Sequence, residues 1–275
     1  MTNILKFSLI VIPLALLYTP IMLEMGREWY SDPNYSHGFL IPVISGYFLW
    51  LHRETLKRLR IAPMHIGYVV IVIGLAIYIL GAMGDEMFTR RASLLLVLAG
   101  IVLLLGGKEW FAGVRFPLFY LAFMIPLPYF LYNEMAVPLK LFAAKIATAI
   151  LHLFSYPILR EGNILYLGSV TLEVADVCSG MRSILSIIAL AVAMAWMFHK
   201  AHWQKLTLVF ASVPIAVAVN VIRIVITGML AYRYGSEVAE GFFHEFAGLL
   251  IFGAALILLF STSFLLSKFE VRNKK

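Results

Sequence analysis

The apolar residues of this chain fall in runs long enough to cross a bilayer, and the runs recur from one end of the sequence to the other. Crossing about 30 Å of hydrocarbon takes about 20 mainly apolar residues in a helix. Away from water each backbone N–H and C=O must be satisfied within the segment, which a helix does. Runs at about residues 4–23, 38–51, 64–82, 93–107, 116–133, 181–198, 206–232 and 246–267 meet or approach that length. They predict an all-α, polytopic membrane bundle of about eight transmembrane helices. Charged residues make up 13% of the chain, against about 25% in a soluble domain, and that excludes a soluble core. The first run lacks a small-residue cleavage site and is read as a retained helix. No repeat, low-complexity tract or linker interrupts the pattern, so residues 1–275 are expected to form a single domain.

The net charge of +7 is spread over short connections and does not mark a nucleic-acid surface. It sorts by side instead. Lys6, Arg53 to Arg60, Lys108, Arg115, Lys200, Lys205 and the C-terminal Lys268 to Lys275 fall in one alternating set of segments. Glu24, Glu28, Asp32, Asp85, Glu86, Glu173, Asp176 and Glu237 to Glu245 dominate the other. Basic loops stay cytoplasmic, so both termini are expected inside and the acidic set outside. Between the fifth and sixth runs, Met135 to Tyr156 places Lys140, Lys145 and His152 among apolar residues and predicts an interfacial helix. Ile164 to Val174, β-branched and aromatic around Gly168-Ser169, predicts a small β-hairpin on the outer face.

The chain has one cysteine, Cys178, so neither an intrachain disulfide nor a multi-cysteine metal site can form. It precedes the sixth run, where a helix N-terminus favours an anion and lowers a thiol's pKa. A packed, inert cysteine is the alternative. Arg182 lies one helical turn after Cys178, on the same face. Arg223 interrupts the seventh run, at a cost of at least about 2.5 kcal/mol for a lipid-facing guanidinium. Asn220, three residues earlier, shares its face, and together they predict a polar pocket inside the bundle; snorkelling to the interface is the competing explanation. His244 opens the eighth run and is either a solvated interfacial residue or a base. The charge sorting sets Cys178, Arg223 and His244 toward one face. A nucleophile, a guanidinium and a base suit acyl transfer at a peptide carbonyl.

These residues resemble the exosortase/archaeosortase family. Cys-Ser-Gly-x-Arg at 178–182, Asn-x-x-Arg at 220–223, and His244 with Gly248 are similar to the family's three motif regions in the family's order. Tyr35-Ser36-His37-Gly38-Phe39-Leu40-Ile41-Pro42 resembles a segment near the start of exosortases. The motif-bearing core spans about residues 160–250. The resemblance implies a sortase-like cysteine transpeptidase with Cys178 as nucleophile and Arg223 and His244 completing the catalytic set. Histidine in the third motif is like the bacterial branch, which implies an inner membrane. The chain stops soon after the eighth run, so the C-terminal domain fused to some exosortases is not expected, and exopolysaccharide or envelope components are expected as separate partners. The substrates it implies carry a C-terminal Pro-Glu-Pro signal, a transmembrane helix and a basic tail. Arg182 and Asn220 are expected to support the site, and no cofactor or metal is implied. His37, Glu173 and Asp176 stay without an assigned role.

Two other readings use the same residues. An intramembrane arginine beside an asparagine also suits a transporter or channel for an anionic solute. A non-catalytic assembly factor for envelope polysaccharide would leave the thiol irrelevant. A metal-dependent intramembrane protease lacks its His-Glu-x-x-His motif here.

Overall fold

Helices account for about four-fifths of the backbone in the computed structural model, which describes residues 3–168, 170–174, 181–235 and 242–272, with the backbone alone for 3–10, 181, 182, 242–249 and 270–272. They divide into two compact units, residues 1–128 and 129–275. Among the described residues five helices are long and apolar enough to cross a membrane: Ile66–Met83, Met87–Leu105, Tyr129–Leu153, His202–Tyr234 and the Leu250–Phe269 part of the last helix; Ser183–Phe198 is a shorter apolar one. The chain is a helical membrane bundle, as its apolar runs predict.

The first unit opens with α1 (Asn3–Ser31). Asp32 ends α1 and accepts a hydrogen bond from the Asn34 N–H at 2.8 Å, and Pro33 starts a 3-10 turn over Pro33–Phe39. In that turn a side chain on Gly38 would strike the indole of Trp29, whose Nε1–H donates to the Met124 carbonyl at 2.9 Å. α2 (Leu40–Leu51) has only 12 residues, about 18 Å. The 3-10 turn before it makes up much of the missing length. After the short α3 (Arg53–Arg58) come α4 (Ile66–Met83) and α5 (Met87–Leu105), an antiparallel pair. Their backbones nearly touch: a Cβ on Gly67 would lie 2.6 Å from the Gly100 carbonyl oxygen, one on Gly74 2.8 Å from Val97, and one on Gly81 2.8 Å from the Arg90 nitrogen. Glycines every seven residues keep one helix face flat, which drives such packing in lipid. At the other end of α5 the Ala62 and Met64 N–H groups cap the carbonyls of Gly106 and Leu103. Gly107 there has φ 84°, and any side chain on it would collide with the Ala62 carbonyl.

Two ion pairs tie α5 to α1. Arg91, 5% exposed, meets Glu28 at 2.6 Å, and Arg90 meets Glu24 at 3.4 Å. A buried guanidinium is tolerable when so paired.

The expected span over 116–133 is not one helix. α6 (Lys108–Tyr120) tightens into a 3-10 turn at Leu121–Met124, the chain extends at Ile125, and α7 starts at Tyr129. Pro126 and Pro128 bracket the break, since proline removes a donor and pushes the preceding residue out of the helical region. Where an interfacial helix was expected over Met135–Tyr156, the structure has the longer α7 (Tyr129–Leu153), with the length and composition of a span.

In the second unit the expected hairpin gains a strand. β1 (Ile158–Glu161), β2 (Ile164–Leu167) and β3 (Val170–Glu173) form an antiparallel sheet in the order β1-β2-β3, with Arg160 opposite Leu165 and Tyr166 opposite Thr171. Gly162 and Gly168, at φ 63° and 60°, take the left-handed turn positions. α8 (Met181–Phe198), α9 (His202–Tyr234) and α10 (Phe242–Arg272) pack on one another.

Candidate functional site

The sheet caps the end of the second unit at which α7 and α9 terminate. Leu165, Leu167 and Val174 pack with Ala144, Ala147 and Leu151 of α7 and with Val221, Ile224 and Val225 of α9. Gly228 makes room for this: a Cβ there would already lie 3.3 Å from Leu151 and 3.7 Å from Leu167. α7 and α9 therefore run parallel. Lower down, Phe142, Ile146 and Ile150 face Val213, Pro214, Val217 and Ala218 across an apolar groove of about 520 Å³.

On α9, Asn220 and Arg223 are 4% and 8% exposed, on the face shared with Ala216 and Ala231. The predicted common face is present, and it points into protein. Burial disposes of the snorkelling explanation, which needs a guanidinium reaching outward.

The remaining expected site residues are placed by helix register. At the far end of the unit, His199 Nε2 and Ser263 Oγ lie 2.9 Å apart, and Gln204 Nε2 donates to the Leu266 carbonyl at 2.9 Å. These two contacts align the end of α8, the start of α9 and the later turns of α10. Counting back along each helix at about 1.5 Å per residue puts Arg182 about 26 Å, Arg223 about 24 Å and His244 about 28 Å above the level of Ser263. The three positions share one level to within about 5 Å, a single helical turn.

Cys178 and Asp176 lie outside the described residues, between Val174 at the end of β3 and Met181 at the start of α8. For Arg182 and His244 the structure gives the helical backbone, in the first turns of α8 and α10. Glu173 is exposed on β3 and accepts a long hydrogen bond, 3.4 Å, from Asn163 Nδ2. His37 belongs to the 3-10 turn of the first unit. The structure thus brings Asn220 and Arg223 together and sets the helical backbone at Arg182 and His244 at their level. Among the described residues no three His, Cys, Asp or Glu side chains are grouped to hold a metal ion. His199 and Gln204, which set the register, were not singled out in the sequence; a histidine and a glutamine closing one apolar run and opening the next were the available signal.

None of the curated proteins and none of the solved structures compared with the chain matches it. The family model described as transmembrane exosortase matches residues 29–261, from Trp29 beneath the first 3-10 turn to the last third of α10. With most of its length matched, the chain belongs to the transmembrane exosortase family.

Proposed function

We propose that this exosortase is a membrane-embedded cysteine protease and transpeptidase that cleaves exported proteins at a C-terminal Pro-Glu-Pro signal. The observation that carries the reading is the common level of Arg182, Arg223 and His244 at the end of the unit where α8 begins, three residues after Cys178. The Cys178 thiolate attacks the scissile carbonyl carbon, and the carbonyl pair moves onto oxygen, where Arg223 stabilises the negative charge. Asn220, one turn away on the same buried face, orients that guanidinium. His244 takes the thiol proton and returns it to the departing amine as the C–N bond breaks, leaving a thioester. An amine or water then attacks the thioester and regenerates the thiol. Arg182 holds the substrate, and no cofactor enters the reaction.

The substrates in this reading are anchored by their own transmembrane helix and basic tail, and exopolysaccharide or envelope components are separate partners. The setting is the inner membrane of a bacterium, with both termini cytoplasmic and the site outside. Termini on the same side require an even number of crossings, so of α7 and the segment formed by α6 and its 3-10 extension only one crosses. A thiol probe that does not cross membranes should label Gly162→Cys, in a Cys178→Ala background, from outside. Labelling from the cytoplasmic side alone would overturn the orientation.

The decisive test is Cys178→Ala co-expressed with a Pro-Glu-Pro protein. The substrate should keep its full length and membrane retention, whereas wild type shortens it. Unchanged processing would favour a transporter or channel for an anionic solute, for which buried Arg223 and Asn220 suffice, or a non-catalytic polysaccharide assembly factor.

A further inference from the structure

Beyond the buried pair on α9 lies a second concavity, built where α7 hands over to the sheet. It encloses about 410 Å³ and is lined by Phe154, Ser155, Tyr156, Pro157, Tyr232 and Arg233. Its walls are fixed: the Tyr156 and Tyr232 rings meet nearly at right angles, 82°, with centroids 5.3 Å apart. Gly168 lets the β2–β3 turn approach the Tyr232 ring, whose Cε2 would lie 3.3 Å from a Cβ there.

The floor carries an unusual residue. α7 ends in a Schellman motif, with the Tyr156 N–H donating to Leu151 and the Ser155 N–H to His152, at 3.1 and 2.9 Å. The residue closing that motif adopts a left-handed conformation, and here it is Ser155, at φ 62°. Glycine is the unstrained choice at such a position. A serine costs stability there, and what it adds is an exposed hydroxyl in the cavity. Arg233 is exposed, is the only cation among the lining residues, and forms no ion pair with a described residue. Two rings at a corner, a hydroxyl and one guanidinium match one carboxylate on an extended, ring-bearing peptide: aromatic walls take proline-type faces and the guanidinium takes the acid.

We propose that this cavity is a substrate-docking subsite which holds a carboxylate-bearing residue of an extended peptide against Arg233 and Ser155, between Tyr156 and Tyr232. It rests on the peptide-cleaving reading above. Arg233 is ten residues beyond Arg223 on one helix, about 15 Å. An extended peptide covers that in about four or five residues, so the docked acid lies that far from the carbonyl at Arg223. A lipid phosphate is the competing occupant, and a single cation suits one carboxylate better.

The test uses full-length protein carrying Cys178→Ala, in lipid nanodiscs, and a short fluorescein-labelled peptide with one glutamate flanked by prolines. Arg233→Gln should weaken binding about tenfold and leave the glutamine version of the peptide unaffected. Arg233→Glu should prefer the lysine version. Ser155→Gly should weaken binding while raising the thermal midpoint, a pairing of signs that a structural role alone does not produce. Equal affinity of wild type for the glutamate and glutamine peptides overturns the proposal. So does an Arg233→Gln protein that loses co-purifying phosphatidylglycerol while its peptide affinity stays intact, which assigns the cavity to lipid. Because binding is read without cleavage, normal substrate processing by Cys178→Ala would remove the enzymatic reading and leave the docking result standing.

Discussion

Two helix pairs in this molecule solve the same problem in opposite ways. α4 and α5 meet through Gly67, Gly74, Gly81 and Gly100, backbone against backbone, with no space left between them. α7 and α9 meet through alanines under the sheet and then part around Pro214, leaving a groove, with Asn220 and Arg223 buried on the far side of α9. Close glycine packing gains dispersion energy and excludes ligands. Looser packing gives up some of that energy and leaves room for polar groups and a guest. The first pair is built as scaffold, and the proposed function places its chemistry beside the second.

The largest effect should come from breaking the closed pair. Gly100→Leu sets a side chain into Ile71 and the Gly67 carbonyl, and a clash with backbone should cost at least about 3 kcal/mol. Loss of the folded protein from membranes, followed by detergent size exclusion, would show it; Ala218→Leu, filling the open groove, should be tolerated within about 1 kcal/mol. An intact Gly100→Leu protein would break the comparison.

The buried arginines sharpen it. Arg91→Met strands the Glu28 carboxylate and should cost about 3–5 kcal/mol, with much of the loss recovered when Glu28→Gln is added. Arg223→Met should lower substrate processing about 100-fold or more at matched amounts of folded protein, an effect Arg91→Met should not produce. Equal loss of processing by the two substitutions at matched amounts of folded protein would erase the distinction between scaffold and site.

The smallest effect concerns the turn between α4 and α5. Glu86 accepts hydrogen bonds from the Phe88 and Thr89 N–H groups, and bonding to Thr89, its side chain foremost, lowers the carboxyl pKa. A lowered native pKa contributes stability above the unfolded value and loses it as pH falls through the native one. Thermal midpoints should therefore drop on acidification in that window, and Glu86→Gln should flatten that part of the profile. An unchanged profile would remove Glu86 from the cap.

Much of this was legible beforehand, because apolar length and helix breakers act locally. The run over 181–198 coincides with α8, and Ser31-Asp32-Pro33-Asn34 marks the end of α1. The span over 116–133 failed because Pro126 and Pro128 outweigh the hydrophobic run, and α7 was hidden because Lys140 and Lys145 interrupt its pattern; Lys145 is exposed, off the buried alanine face. The Asn220–Arg223 face followed from helical spacing. The common level of Arg182, Arg223 and His244 did not, since it depends on His199 meeting Ser263 and Gln204 meeting Leu266, contacts more than 60 residues apart in sequence. Ser155 was equally silent, as nothing in its neighbours' composition announces a left-handed serine.

Chain order gives the ion pairs between α1 and α5 a temporal meaning. During synthesis Glu24 and Glu28 emerge before Arg90 and Arg91, so both carboxylates are in place when the guanidiniums arrive. α5 is the less apolar partner, with mean hydropathy 1.9 against 2.5 for α4. If α4 and α5 leave the insertion machinery as one glycine-packed hairpin, both arginines reach carboxylates already in the membrane, which spares the bilayer a lone buried charge.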